Sequence, residues 1–303
     1  MKNRFGNTAA GQHPPNRASR KSLGLVSLAV LLLFSFASLC SAQTQVHGQL
    51  TQIAAGSTEV WGINGSGEVY QYTSSGFTQV IPGDLFQITV GTGSKNVWGI
   101  NASEEIYNYD TALKPPAFEH VHGQLVQIQA GGQGVWGLNA SGDIYVWNGT
   151  AFVAPPHGQP VPFCSVFVGG YEIGVWALDC THGDAYYYDG STETFVDSTG
   201  SNLVSIAVGN SEVWGITKTG VFVYHPCCNF WSQPDTEAQL VQMSVGTNKQ
   251  VYGVNASGAV YLYNSTSKKF GLVTDSEDFV QISVGGSAAG IWGITSDGAI
   301  YKF

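Results

Sequence analysis

One segment returns seven times along this chain: VWGINGSGEVYQY from Val60, VWGINASEEIYNY from Val97, VWGLNASGDIYVW from Val135, VWALDCTHGDAYYY from Val175, VWGITKTGVFVY from Val213, VYGVNASGAVYLY from Val251 and IWGITSDGAIYKF from Ile291. Its aromatic second residue, which is Trp61, Trp98, Trp136, Trp176, Trp214, Tyr252 and Trp292, recurs at intervals of 37, 38, 40, 38, 38 and 40 residues. A fixed period of this length marks a repeat architecture. Each unit is one supersecondary element that cannot bury its own apolar face and must stack on its neighbours.

Each unit divides into four short apolar stretches. The first, as in QLVQIQAGG, sets Val126, Ile128 and Ala130 on one face at period two and ends in glycine. The second is the V-W-G-I-N run. The N-x-S-G that follows supplies residues tolerant of positive φ, which closes a hairpin onto a third, aromatic-rich stretch such as Ile144–Trp147. A weaker fourth stretch, such as AFEHV, completes the unit. No helical period is present, so the expectation is all-β: a seven-bladed β-propeller of four-stranded antiparallel blades, with the repeated aromatics filling the space between sheets. The last copy stops at its third strand, in AIYKF, whereas residues Thr44–His47 match a fourth strand. These residues are expected to complete the last blade and close the ring, which removes exposed edges.

Residues 1–42 are a different kind of sequence. Lys2, Arg4, Arg17, Arg20 and Lys21 precede the apolar run LGLVSLAVLLLFSFASLC, and CSA at 40–42 offers small residues for cleavage. This reads as a secretory signal peptide cleaved after Ala42, with an uncleaved signal anchor as the rival. The expected product, residues 43–303, is a single domain that is secreted, or periplasmic in a bacterium. It has lost five of the chain's twelve basic residues and keeps seven lysines against 21 acids, a net charge of −14 with no arginine. Nucleic acid needs clustered positive charge and is not an expected partner, nor is an anionic membrane once the leader is gone.

Four cysteines remain in residues 43–303: Cys164, Cys180, Cys227 and Cys228. An exported chain permits disulfides, and the alignment of repeats sets Cys164 and Cys180 on facing strands as a candidate bridge. Cys227 and Cys228 are adjacent and could pair with each other, stay thiols or link to another chain. No second Cys-x-x-Cys or His-x-x-x-His half is present to hold zinc, so neither a metal nor another cofactor is expected.

The pattern L-x-Q-I-x-x-G followed by V-W-G-I-N-x-S-G-x-I-Y-x-Y resembles the tectonin repeat of the tachylectin and fish-egg lectin family, and it does so over essentially all of residues 44–303. The resemblance implies a propeller that binds carbohydrate, often bacterial surface glycans, and acts in recognition rather than catalysis. The chain departs from the pattern in having seven copies where well-known members have six, in Ala177 and Asp179, and in Thr217 and Thr295 where Asn is usual. The implied partners are glycans or glycoconjugates, with a non-catalytic scaffold that binds another protein on one disc face as the alternative.

Two kinds of residue are candidates for contact. The repeated Trp residues could hold a pyranose face, but identical positions in every copy are what packing between blades requires. The triplet HGQ occurs at His47–Gln49, His122–Gln124 and His157–Gln159, each time where a fourth strand passes to the next first strand. His47, Gln49, His122, Gln124, His157 and Gln159 supply uncharged donors and acceptors for hydroxyls, and they could converge near the mouth of a central channel; a shared turn inherited by duplication is the rival reading. N-x-S/T triplets at Asn64, Asn101, Asn139, Asn148, Asn255 and Asn264 have the form of glycosylation acceptors, although four of them are the hairpin turn itself. No catalytic set can be assigned, so the chain is not expected to be an enzyme. A hydrolase would need acids such as Asp84, Asp184, Glu193 and Asp235 to meet around a channel.

Overall fold

A computed structural model describes residues 43–81, 83–92 and 96–303, so the leader expected over residues 1–42 lies outside the described part. The regular elements there are all β-strands, arranged in seven four-stranded antiparallel sheets. Six sheets are each one contiguous stretch of chain; blade 1 is built from Gln52–Ala55, Val60–Ile63, Val69–Thr73 and Gly76–Ile81, in that spatial order. The first strands of all seven blades line one central channel, so each sheet runs outward from the axis in chain order.

Blade 7 is made from both ends of the fold. It contains Phe279–Val284, Ile291–Thr295 and Ala299–Lys302, and its outermost strand is Thr44–Gln49. Thr44 pairs with Lys302, Gln45 with Tyr301 and Val46 with Ile300, and the register then slips before Gln49 meets Ala299. The slip falls at Gly48, whose φ of 128° is a conformation that glycine alone adopts without strain. The break in the chain therefore lies inside a hydrogen-bonded sheet, and every passage from one blade to the next is covalent.

Large aromatics hold the blades to one another. Trp61, fully buried, packs on Tyr109 and Phe118 of blade 2; Trp98 packs on Trp147 and Phe152 of blade 3; Trp292 packs on Tyr72 and Phe77 of blade 1. The ring centroids lie 4.5 to 6.2 Å apart and mostly meet edge to face, the arrangement that aromatic quadrupoles favour. Each buried indole also finds an acceptor, as in Trp61 Nε1 to Glu59 at 3.1 Å and Trp136 Nε1 to the Gln133 carbonyl at 3.0 Å. Tyr252 is the weak member, 6.5 Å from Phe303 of blade 7.

Alternation misplaces one residue of each first strand. Ile128 and Ala130 are buried as expected, but Val126 is exposed and Leu125 is buried instead. The cause is a bulge. In blade 2 the register skips from Leu85 to Gln87 and leaves Phe86 without a partner, and the same skip recurs at Cys164, Val204, Val241 and Val280. In blade 3 the Val126 N–H reaches the Leu138 carbonyl, although Gln127 is the residue in register with Leu138. One extra residue reverses the phase of a period-two pattern.

Near the axis the backbones come close together. A Cβ on Gly131 would lie 2.7 Å from the Gly169 carbonyl oxygen and 2.8 Å from Val168 of the next blade. Amide clasps cross the same junctions: Gln127 accepts the Val166 N–H at 2.8 Å and donates to the Val166 carbonyl at 3.1 Å, and Gln281 grips Ile53 the same way at 3.0 Å for both bonds. Ser165 and Ser205 take the place of this glutamine in blades 4 and 5.

Candidate functional site

Strand direction decides which loops share a face. In every blade the hairpin between the second and third strands, and the passage from the fourth strand to the next blade, lie on one face, here called the upper. The other two hairpins lie on the lower face.

The three HGQ triplets are on the upper face but do not gather. His47 and Gln49 end the closing strand, His122 and Gln124 end the fourth strand of blade 2, and His157 and Gln159 lie in the passage from blade 3 to blade 4. None of the six lines the channel. The fourth strand is the outermost, and the chain crosses toward the axis only after the triplet, so convergence at the channel mouth is corrected by the order of strands. The glutamines bond locally. Gln49 donates to the Asp297 carbonyl at 3.4 Å and Gln124 to that of Ser103 at 3.5 Å, each fastening the passage to a hairpin of its own blade. Gln159 accepts the Ile144 N–H at 2.8 Å, supplying a partner that the two-residue fourth strand Phe152–Val153 is too short to provide. His47, His122 and His157 are exposed.

A groove between blades 7 and 1 does gather polar groups. It encloses about 900 Å³ and is lined by Gln45, His47, Gln49, Asn64, Tyr70 and Phe77 among others. Asn64 and Tyr70 both donate to the Glu68 carboxylate, at 2.6 and 3.0 Å. The Asn64 bond, and after it the Tyr70 bond, hold that carboxyl below its ordinary range, while burial and then Glu68 push the Tyr70 phenol up. A smaller groove of about 340 Å³ between blades 5 and 6 has Gln239, Asn255, Tyr261 and Phe270 at the equivalent places, with Asp235 and Lys269 beside them. Sequence reasoning named His47 and Gln49 of this groove as contacts and Asn64 only as a turn residue and glycosylation acceptor, and did not name Gln45, Tyr70 or Phe77. The signal was present: Tyr follows Asn by six residues in Asn64–Tyr70, Asn101–Tyr107, Asn139–Tyr145 and Asn255–Tyr261, and a spacing kept that strictly asks for contact as well as packing.

The hairpin asparagines are occupied by the turn. Asn64, Asn101, Asn139 and Asn255 each accept the N–H groups two and four residues on, at 2.8 to 3.0 Å, which is the Asx-turn chemistry these residues favour. Asn148 and Asn264, in outer hairpins on the lower face, accept the N–H groups two and three residues on. Asp179 takes the asparagine's part in blade 4, accepting from His182 at 3.0 Å and Asp184 at 2.8 Å. Burial raises its pKa, but the N–H groups of Asp184, His182 and Thr181 outweigh this and leave it lowered. Asp179, His182 and Asp184 have ligand-type atoms within 4.8 Å of one another, an arrangement the turn itself accounts for.

Cys164 and Cys180 are bridged, with Cα atoms 4.9 Å apart. Cys227 and Cys228 are exposed thiols. Asp84, Asp184, Glu193 and Asp235 belong to different loops: Asp84 and Asp184 lie on the upper face, Glu193 on the lower, and Asp235 is buried in the groove between blades 5 and 6, accepting the Phe270 N–H at 2.8 Å. The channel encloses about 370 Å³, and among the described residues none that lines it is charged; Gln52, Thr89, Gln129, Ser205, Asn210 and Ser283 are among its polar groups.

No curated protein matches the sequence. Among solved structures, the chain is similar to YCF48 bound to D1 peptide (10% identity, TM-score 0.61, 86% of this chain and 94% of that one). It is also similar to Prp20p from Saccharomyces cerevisiae, described with its binding properties to Gsp1p and histones (10%, 0.58, 82% and 81%), and to the WD40 β-propeller domain of Doa1 (11%, 0.61, 86% and 96%). At such identities the likeness concerns the fold alone. A family model described as Tectonin domain matches residues 49–166 and 165–303, and with the repeats and the ring already described, the chain belongs to the tectonin family.

Proposed function

We propose that this protein is an exported, non-catalytic recognition module that binds carbohydrate weakly at several grooves between blades. The observation that carries the reading is the recurrence of one polar set: amide, phenol and aromatic wall at Gln49, Asn64, Tyr70 and Phe77, and again at Gln239, Asn255, Tyr261 and Phe270. Uncharged donors and acceptors beside an aromatic surface suit a ligand made of hydroxyl groups and C–H faces. Shallow sites repeated around a ring gain strength from avidity when the ligand is itself repetitive, as surface polysaccharides are. The buried indoles take no part. Export is supported by the basic leader with its apolar run and by the Cys164–Cys180 bridge, which persists in an oxidising compartment.

The test is a glycan array that includes bacterial polysaccharides, run with residues 43–303 and with a His47→Ala/Gln45→Ala variant. Selective binding that drops in the variant is expected. Absence of binding to any sugar would sink the reading and turn the search to protein partners.

A further inference from the structure

The bulged residues of the first strands make a surface that the glycan reading does not use. They occupy one structural position, Thr51, Phe86, Val126, Cys164, Val204, Val241 and Val280, at the upper end of each first strand, and so they ring the upper mouth of the channel. Phe86 is 71% exposed, Val241 57%, Val204 55% and Val280 50%. Thr51, Phe86 and Val126 line one hollow of about 570 Å³. Single exposed apolar residues need no explanation, but the same position exposed in blade after blade around one opening forms a patch, and patches mark interaction sites.

The surroundings of the ring say what fits it. Among the described residues, the passages between blades on this face carry four carboxylates, Asp84, Asp275, Glu277 and Asp278, and the hairpins add Glu68, Glu104, Asp143, Asp184 and Asp297; Asp235, which is buried, and Glu237, which pairs with Lys269, belong instead to the outer groove between blades 5 and 6. Against these nine stands one lysine, Lys218. Among the described residues the lower connections are balanced, with Glu59, Glu172, Glu193 and Glu212 facing Lys114, Lys249 and Lys268. The acidity of the connections is therefore concentrated on the face that carries the apolar mouth. A second copy docking by the same face would bring like charge against like charge, and an anionic membrane is repelled for the same reason.

We infer that the upper mouth of the channel is a docking surface for a basic polypeptide segment carrying apolar side chains. The apolar groups seat on the ring of Phe86, Val204, Val241 and Val280, and lysine or arginine side chains reach the surrounding carboxylates. Complementary charge steers the encounter, and burial of the ring holds the complex.

The test uses residues 43–303 and three short peptides: alternating lysine and leucine, alternating lysine and serine, and alternating glutamate and leucine. Affinity is read by fluorescence anisotropy at low and at raised salt. The lysine–leucine peptide is expected to bind, to weaken as salt rises, and to bind at least about tenfold more tightly than either of the others. A variant with Phe86→Thr, Val204→Thr, Val241→Thr and Val280→Thr, whose melting should be unchanged because all four side chains are exposed, is expected to lose about tenfold in affinity. Glu172→Gln/Glu193→Gln on the lower face should leave affinity unchanged. The inference is overturned if the lysine–leucine peptide does not bind, if lysine–serine binds as tightly, if the ring variant binds like the parent, or if the lower-face variant is the one that weakens.

Discussion

At the scale of single residues, the axis is where the repeat tolerates least. Gly131 has the Gly169 carbonyl oxygen 2.7 Å and Val168 2.8 Å from where a Cβ would stand, and the carbonyl belongs to a backbone that cannot swing aside. Gly131→Ala is expected to cost about 1–3 kcal/mol through this overpacking, read as a lower melting temperature; unchanged melting would mean that the blades can move apart at the axis. Alkaline pH probes the outer interface. Tyr224 is buried beside Trp176 and Trp231 and donates to Asn229 at 2.9 Å, and burial, with smaller contributions from Tyr187 and Cys227, pushes its phenol up to about 12. Because the folded-state value lies above the ordinary 10, the stability Tyr224 contributes is whole below pH 10 and is lost as the pH rises from 10 toward 12. Melting measured across that window should fall less steeply in Tyr224→Phe than in the parent, and equal slopes would place the titration elsewhere.

At the scale of the strand, ring closure rests on Thr44–Gln49. Its Val46 packs with Ile300 and Trp292, and its backbone covers the edge of Ala299–Lys302. Deleting residues 43–48 removes that ladder and exposes this side of blade 7, at a cost of about 2–4 kcal/mol from one partly buried valine and several backbone hydrogen bonds. For a domain of this size the melting temperature should fall by roughly 5–10 °C, and an unchanged curve would refute closure by this strand. The same strand shows what could be read in advance. Thr44–His47 was legible because seven copies supply a template for the missing piece, and the buried indoles were legible because a position filled alike in every copy serves the contact that every copy makes. Val126 was misread, since period-two counting has no means of seeing a bulge that inserts one residue. The HGQ triplets were placed on the correct face but at the wrong radius, because distance from the axis depends on strand order within a blade. The place of Asn64 and Tyr70 in a groove escaped notice, since their meeting with His47 crosses between the two ends of the fold.

At the scale of the whole molecule, the position of the chain break is a structural variable in its own right. The natural break lies between Lys302 and Thr44, which face each other in register within blade 7. All seven junctions between blades therefore keep a covalent passage, and the gap is bridged by a backbone ladder. A break moved to a junction would be bridged without a strand ladder, by the Gln127 clasp on Val166, the packing of Trp136 on Tyr188 and Phe195, and single backbone bonds such as Gly132 N–H to the Gly169 carbonyl at 2.8 Å. Two circular permutants separate these cases, both with Phe303 joined to Gln43 by a tight turn of the kind that Ser74 and Ser75 form between Thr73 and Gly76. One is opened between Ser74 and Ser75, which reproduces the natural kind of break in blade 1; the other is opened between Pro156 and His157, in the passage from blade 3 to blade 4. The first should melt within a few degrees of the parent. The second should melt lower, because fraying at an open junction uncovers the aromatic interface of two blades, whereas fraying at an outer hairpin uncovers one strand. Equal melting of the two permutants would mean that the contacts between neighbouring blades close the ring without a strand ladder, and that the pairing of Thr44–Gln49 with Ala299–Lys302 contributes no more than any other edge.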